Sequence, residues 1–300
     1  MHVLLTGASG YVGGYTLRAL RARGHTVRAL VRSGRAPEGA EAVRGDVTDP
    51  AGLDGAFDGV DAVVHLVGII DERPSEGVTF ERVHVEGTRH VAAAARAAGV
   101  SRFVHMSANG ARPGGVSRYQ TTKWAAEEIV RAAGFDHLVV FRPSTLFGDP
   151  GEDHPEFAKR LWQTLVRPFP VWPVFGDGRY LLQPIHVGAV AEALARAVDL
   201  DAANGRAFCA AGAERIPYEE VLDRIARGGG IEPRSKVHVP MPLARLVVNT
   251  AGALGLLPIS PDQFAMLVDG NACDPTAFFE TFGVDTPRFE PAHLGYLAKY

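Results

Sequence analysis

The stretch Leu4-Leu5-Thr6-Gly7-Ala8-Ser9-Gly10-Tyr11-Val12-Gly13-Gly14 constrains this chain more than any other. His2 to Leu5 read as a short buried strand, and Tyr11 to Arg23 carry a helical pattern that Gly24 stops. The glycines therefore fall between a strand and the first turn of a helix. Gly7 lets the backbone turn, Gly10 keeps the main chain open to a pyrophosphate, and Gly13 lets the helix pack closely. The unpaired N–H groups and positive dipole end of that helix then form an anion site. Glycines alone also suit an ordinary turn. Their place directly after an apolar strand and before an amphipathic helix is what a dinucleotide site requires. Ser9, Tyr11 and Val12 share the loop and first turn, and join Gly7, Gly10 and Gly13 as candidate cofactor contacts.

Downstream, strands and helices alternate. His25 to Val31, Ala42 to Arg44, Asp61 to Val67, Ser101 to Met106 and Asp136 to Phe141 read as strands. A brief helix capped by Asp49 runs to about Phe57, and longer ones span Glu81 to Ala98 and Val116 to Ala133. Six strands alternating with helices predict an α/β fold, a Rossmann-type doubly wound parallel sheet of six or seven strands with a smaller C-terminal substrate lobe. The later third is less regular. It offers a helix between about 155 and 167, a strand near Val174-Phe175, a helix from His186 to Val198, a strand from Ala207 to Ala210 and a helix from Pro217 to Arg227. Helices at 241–256 and 261–268 are expected to cover the pocket. Residues 1–175 form mainly the nucleotide-binding domain. Residues 176–300 complete it and add the lobe, with no sharp boundary.

The end of the second strand bears on the cofactor. An acidic residue there would bond both ribose hydroxyls of NAD, but this chain has Arg32-Ser33-Gly34-Arg35. A guanidinium can pair with the 2′-phosphate of NADP, so NADP(H) is favoured, with Arg32 and Ser33 as its expected contacts and Arg35 as a further candidate. NAD(H) stays the alternative, because these arginines also read as solvated loop charges. Asp46 and Val47 are candidate adenine contacts. Leu66, Val67 and Gly68 close the fourth strand where the ribose and nicotinamide half would lie, and Pro143, just after the sixth, is a further candidate cofactor contact.

Composition excludes several classes. A formal charge of -3 with scattered arginines gives no basic stripe, so nucleic acid is not the expected partner. Cys209 and Cys273 are too few for a disulfide framework and lack metal-ligand spacing, so no metal site is expected, and a reducing cytoplasm fits. The chain enters its first strand at once, which argues against a cleaved leader. Met241 to Leu257 is the most apolar run. It is shorter than the ~20 residues of a membrane span and contains Arg245, so it reads as a core or lid helix, not a transmembrane segment. His65, His105 and His186 lie in apolar strands or at a helix start and read as satisfied buried histidines.

Together these residues resemble the extended and atypical short-chain dehydrogenase/reductase superfamily. Thr6 to Gly13 is similar to its T-G-x-x-G-x-x-G loop, and Tyr119-Gln120-Thr121-Thr122-Lys123 to its Y-x-x-x-K pair. Val83 to Thr88 resembles N-V-x-G-T, Arg142-Pro143-Ser144 with Phe147-Gly148 resembles R-P…Y-G, and Pro184 to Val187 resembles the epimerase-like P-I-H-V. The likeness spans roughly the first two-thirds of the chain. Within it, His105 to Pro113 and Gln183 to Leu194 look most like the group related to the nucleotide-binding accessory subunit of mitochondrial respiratory complex I.

The resemblance implies redox chemistry on a carbonyl or alcohol, with Tyr119 moving the substrate's proton. A free phenol titrates near ~10, so Lys123, one helical turn away, is expected to favour the phenolate and bond the nicotinamide ribose. Ser107 stands at the strand end, where the family's polarising hydroxyl lies slightly downstream, so either Ser107 or Asn109 takes that role. His84 stands where the family commonly has Asn. Gly188-Ala189 stand where many epimerases have acidic residues. Two readings follow. One is an NADP-dependent oxidoreductase or epimerase-like enzyme on a small carbonyl or nucleotide-sugar substrate. The other is a non-catalytic NADPH-binding accessory, assembly or sensor protein. A homodimer or association with a respiratory complex is the partner expectation.

Overall fold

The computed structural model describes residues 1–33, 37–252, 257 and 259–300. By internal packing these form two units, one of residues 1–143, 187–210 and 275–285, the other of residues 144–186, 211–274 and 286–300.

The first unit is built on seven strands: β1 (His2–Thr6), β2 (Thr26–Val31), β3 (Glu41–Arg44), β4 (Ala62–His65), β5 (Arg102–Met106), β6 (His137–Pro143) and β7 (Ala207–Ala210). They pair in parallel in the order β7-β6-β5-β4-β1-β2-β3. The chain winds outward from β1 through β2 to β3, then returns to place β4 on the other side of β1. Strand order reverses at that point, and in open parallel sheets ligands bind beyond the carboxyl ends at this place. Val3, Leu4, Leu5, Val63, Val64, Phe103 and Val104 are fully buried, as strands covered on both faces must be.

Helix α1 (Tyr11–Ala22) follows β1, with Gly10 as an N-cap whose end has no side-chain partner. The expected helix over 81–98 is two pieces, a wide π-type turn at Glu81–Glu86 and the regular α2 (Gly87–Ala97). Helix α3 (Arg118–Ala132) begins two residues later than expected, because the Ser117 hydroxyl accepts from the Gln120 N–H at 3.2 Å and fixes the start there. Asp49 does cap its helix, accepting from the Ala51 N–H at 3.2 Å, but only one turn forms, Pro50–Leu53. Helix α4 (Val187–Ala197) is buried at most of its positions.

The second unit has its own core, including Phe147, Trp162, Trp172, Leu222, Ile225 and Leu294. Strand Trp172–Phe175 pairs in parallel with Lys236–Val239, and helix Tyr218–Gly228 has Pro217 just before its first turn. Helix Pro261–Asp269 is fixed by a capping box between Ser260 and Gln263. The apolar run from Met241 is helical as Met241–Val247 and continues as a π-type turn to Gly252; 253–256 lie outside the described residues. It does not behave as a core helix throughout. Ala244 and Val248 are buried, while Leu243, Leu246 and Val247 face outward. Cys209 and Cys273 are both disulfide-bonded. No helix of the described residues is long and apolar enough to cross a membrane.

Candidate active site

The phosphate loop has the geometry expected of it. Gly7 adopts a left-handed φ of 73°, and its carbonyl accepts from the Gly10 N–H at 3.0 Å. A Cβ at Gly13 would lie 2.0 Å from that carbonyl oxygen, so this position admits only glycine. A Cβ at Gly10 would meet nothing nearer than the same oxygen at 3.3 Å and would otherwise fill open space. That space faces the uncapped first turn of α1, which is where a pyrophosphate needs to approach. The cradle therefore fits a dinucleotide. Ser9 is exposed and Tyr11 and Val12 are partly so, as contacts to a ligand must be.

At the end of β2, Arg32 and Ser33 are exposed, and Arg32 makes no ion pair among the described residues; Arg35 lies outside them. The register sets Arg44 of β3 beside Val31, a second exposed guanidinium next to this edge that the sequence reading passed over. Asp46 uses one carboxylate oxygen to accept from the Thr48 N–H and hydroxyl at 2.8 and 2.9 Å, which holds the loop. Val47 is 5% exposed and its carbonyl accepts from His90, so only its main-chain N–H is left to meet an adenine. Leu66 is buried, Val67 is half-buried and Gly68 is exposed at the end of β4.

Tyr119, Lys123 and Glu127 stand four residues apart on α3 and so share one face. Lys123 is 2% exposed and donates to the Met106 carbonyl at the end of β5, at 2.8 Å. A Cβ on Gly68 would lie 3.1 Å from Lys123 Nζ, so the amine and the end of β4 meet directly. Burial pushes the Lys123 amine down to about 8, and the Glu127 carboxylate opposes that fall. Glu127, absent from the sequence expectations, is fully buried. It accepts from Arg142 at 2.8 and 2.6 Å and from Arg131 at 2.6 Å. Burial raises its carboxyl, but hydrogen bonds, Arg142's the largest, outweigh that and hold it below the usual range. The signal was available: Glu127 continues the four-residue spacing of Tyr119 and Lys123.

Burial pushes the Tyr119 phenol up to about 12. The ring packs edge-on to Phe80 and His84. Ser107 is 2% exposed. Its N–H donates to Phe141 O at 2.7 Å, and its hydroxyl helps hold Glu127 ionised without forming a full hydrogen bond. The Asn109 N–H donates to Pro143 O at 2.9 Å, which brings the ends of β5 and β6 together.

Three histidines lie beneath this site. His65 is satisfied, with Thr6 at 2.7 Å and Thr88 at 3.1 Å, as expected. His105 is not: neither ring nitrogen has a partner among the described residues, although its ring stacks on His65 at 5.6 Å. His84 stands where the family commonly has Asn. Its Nδ1 lies 3.0 Å from the Thr122 hydroxyl, which donates to Arg118 O at 2.8 Å. Its Nε2 lies 3.0 Å from the Ile69 N–H and 3.1 Å from the Ile69 carbonyl. His84 thereby ties the loop after Gly68 to α3 one residue before Lys123. Burial first, then Lys123, push its ring down to about 2, so it stays neutral.

A glycine-rich loop between β1 and α1 at the sheet's reversal point, with Tyr119 and Lys123 one turn apart on α3 and Lys123 against the end of β5, is the arrangement of Rossmann proteins of the extended short-chain dehydrogenase/reductase type. The chain belongs to the NAD dependent epimerase/dehydratase family, whose profile matches residues 3–211. It is 38% identical over 182 residues to a ceramide reductase of Caulobacter vibrioides, a match covering 58% of this chain and 54% of that one. It is 30% identical to a 2-alkyl-3-oxoalkanoate reductase of Stenotrophomonas maltophilia, over 77% of this chain and 76% of the other. It is also 29% identical to subunit 9 of the NADH dehydrogenase 1 alpha subcomplex of Rattus norvegicus, over 72% of this chain and 54% of that one. The chain thus spans about half the length of two of these relatives. The solved structure of MoeE5 with UDP-glucose and NAD superposes with a TM-score of 0.76 over 100% of this chain and 98% of that one, at 22% identity, a likeness of fold.

Proposed function

We propose that this protein is an NADP-dependent reductase acting on the carbonyl of a predominantly apolar small molecule. The observation that carries the reading is Tyr119 one helical turn from a buried Lys123 whose amine lies against the ends of β4 and β5. The phenol carries its proton near neutrality and burial makes it a weaker acid than a free tyrosine, so in reduction it gives that proton up only as charge develops on the substrate oxygen. The nicotinamide, when bound, supplies the hydride. Gly7, Gly10 and Gly13 hold the pyrophosphate, Lys123 holds the ribose, and Tyr119 gives its proton to the substrate oxygen. Ser107, buried at the end of β5, is the group that polarises that oxygen. The names of the ceramide and oxoalkanoate reductases support an apolar substrate over a nucleotide sugar.

The NADP preference rests on Arg32, exposed at the end of β2 and without a carboxylate partner among the described residues. A charge-assisted pair with a 2′-phosphate contributes roughly 1.5–3 kcal/mol, about tenfold or more in affinity. Fluorescence titration should find NADPH bound more tightly than NADH, and Arg32→Asp should narrow or reverse the difference with the melting temperature unchanged. Equal affinities in the wild type would overturn the preference.

A further inference from the structure

We propose that the helix from Met241, in the second unit, is a docking surface for a lipid bilayer carrying anionic headgroups. Leu243, Leu246 and Val247 are 51%, 62% and 42% exposed, and their spacing of three and four puts them on one helix face. The opposite face, Ala244 and Val248, is buried in a cluster with Phe264. The helix is therefore apolar on both sides. A helix that only covers a core in water has a polar outer face. Val237, 57% exposed on the strand leading into it, adds to the same stretch.

Charge identifies the occupant. Between Glu232 and Asp262 the sequence has no acidic residue, in a chain with 34 Asp and Glu and a net charge of -3. Arg245, on the exposed helix, has no carboxylate partner among the described residues. Such a guanidinium, beside bare Leu and Val side chains on one helix, matches the boundary of an anionic membrane, where apolar groups enter the acyl region and cations meet headgroups. Twelve helical residues reach only ~18 Å, against about 30 Å of hydrocarbon, so the helix lies on the bilayer and does not cross it. The surface stands without the reductase reading. That reading supplies its use, since an apolar carbonyl substrate resides in lipid.

Flotation of the full chain with phosphatidylcholine vesicles, with and without phosphatidylglycerol, tests this. The protein should float with both and more strongly with the anionic vesicles, and salt should weaken that excess. Leu243→Glu with Leu246→Glu should abolish flotation while NADPH affinity and melting temperature stay at wild-type values. Arg245→Gln should lower binding to the anionic vesicles about fivefold and leave neutral vesicles unaffected. A wild-type protein that floats with neither vesicle overturns the proposal, as does a double variant that still floats. So does a dimer in solution that the double variant abolishes, because the face would then belong to a second copy. NADPH titration of the same variants reports the nucleotide site separately, so failure of one reading is distinguishable from failure of the other.

Discussion

Gly10 and Gly13 belong to one motif, yet a methyl group would do different things at each. At Gly13 it would sit 2.0 Å from the Gly7 carbonyl oxygen, so Gly13→Ala must distort the loop and should lower stability. At Gly10 the nearest atom is that oxygen at 3.3 Å, so Gly10→Ala should fold normally and lose NADPH affinity by tenfold or more, about 1.4 kcal/mol. Thermal melts beside cofactor titration separate the two, and a Gly10→Ala protein that binds normally contradicts the phosphate-loop assignment. His105 gives a second test. Its ring nitrogens lack partners among the described residues, and burial, then His65 and Lys123, hold it well below 6.5. The folded state refuses a proton that the unfolded chain accepts below about pH 6.5, so stability present above that pH is lost as pH falls. His105→Leu removes that loss and the orphaned nitrogens. Its melting temperature should rise, by more at pH 5 than at pH 7.5; a uniform fall would contradict the account.

Among the elements, what the sequence made legible was the apolar β1, β4 and β5 and the glycine stops between them, because fully buried strands leave unbroken apolar runs. The ends of elements were less legible. The π-type turn at Glu81–Glu86 has no local signal, since nothing in ERVHVE distinguishes a wide turn from a regular one. The helix from Met241 misled for another reason: hydropathy measures how apolar a segment is, and says nothing of which side faces a core. Helix Phe157–Leu161 owes its start to Glu156, 5% exposed, whose two carboxylate oxygens accept from the Ala158 and Lys159 N–H groups at 2.8 Å each. Burial raises this carboxyl to about 7, against the pull of those bonds. A raised acid stabilises the fold below its unfolded value, near 4.5, and that contribution is lost as pH rises through about 7. Melting temperatures at pH 4.5 and pH 8 should therefore fall less for Glu156→Gln than for the wild type; equal losses would refute the assignment.

At the scale of the whole chain, the parallel sheet and a late return of the chain to complete it followed from the sequence, but the partner of the returning strand did not. Ala207–Ala210 extends the sheet beyond β6 through register with Val140 to Pro143, and four residues of ordinary composition carry no record of that partner. The site was legible where chemistry needs a fixed spacing, as in Tyr119 with Lys123 or Gly7 with Gly10. It was illegible where distant residues converge, as Glu127, Arg142 and Ser107 do, or His84 with Ile69 and Thr122. The central claim joins both parts: Lys123 fixes the cofactor and Tyr119 donates the proton. Single-turnover oxidation of bound NADPH, measured across long-chain ketones, quinones, aldehydes and nucleotide sugars, tests it most directly. The wild type should oxidise NADPH with at least one apolar carbonyl, and Tyr119→Phe should slow that step by about 10²–10⁴-fold with NADPH affinity unchanged. Oxidation at the same rate in Tyr119→Phe, or none by the wild type with any substrate, would contradict the claim.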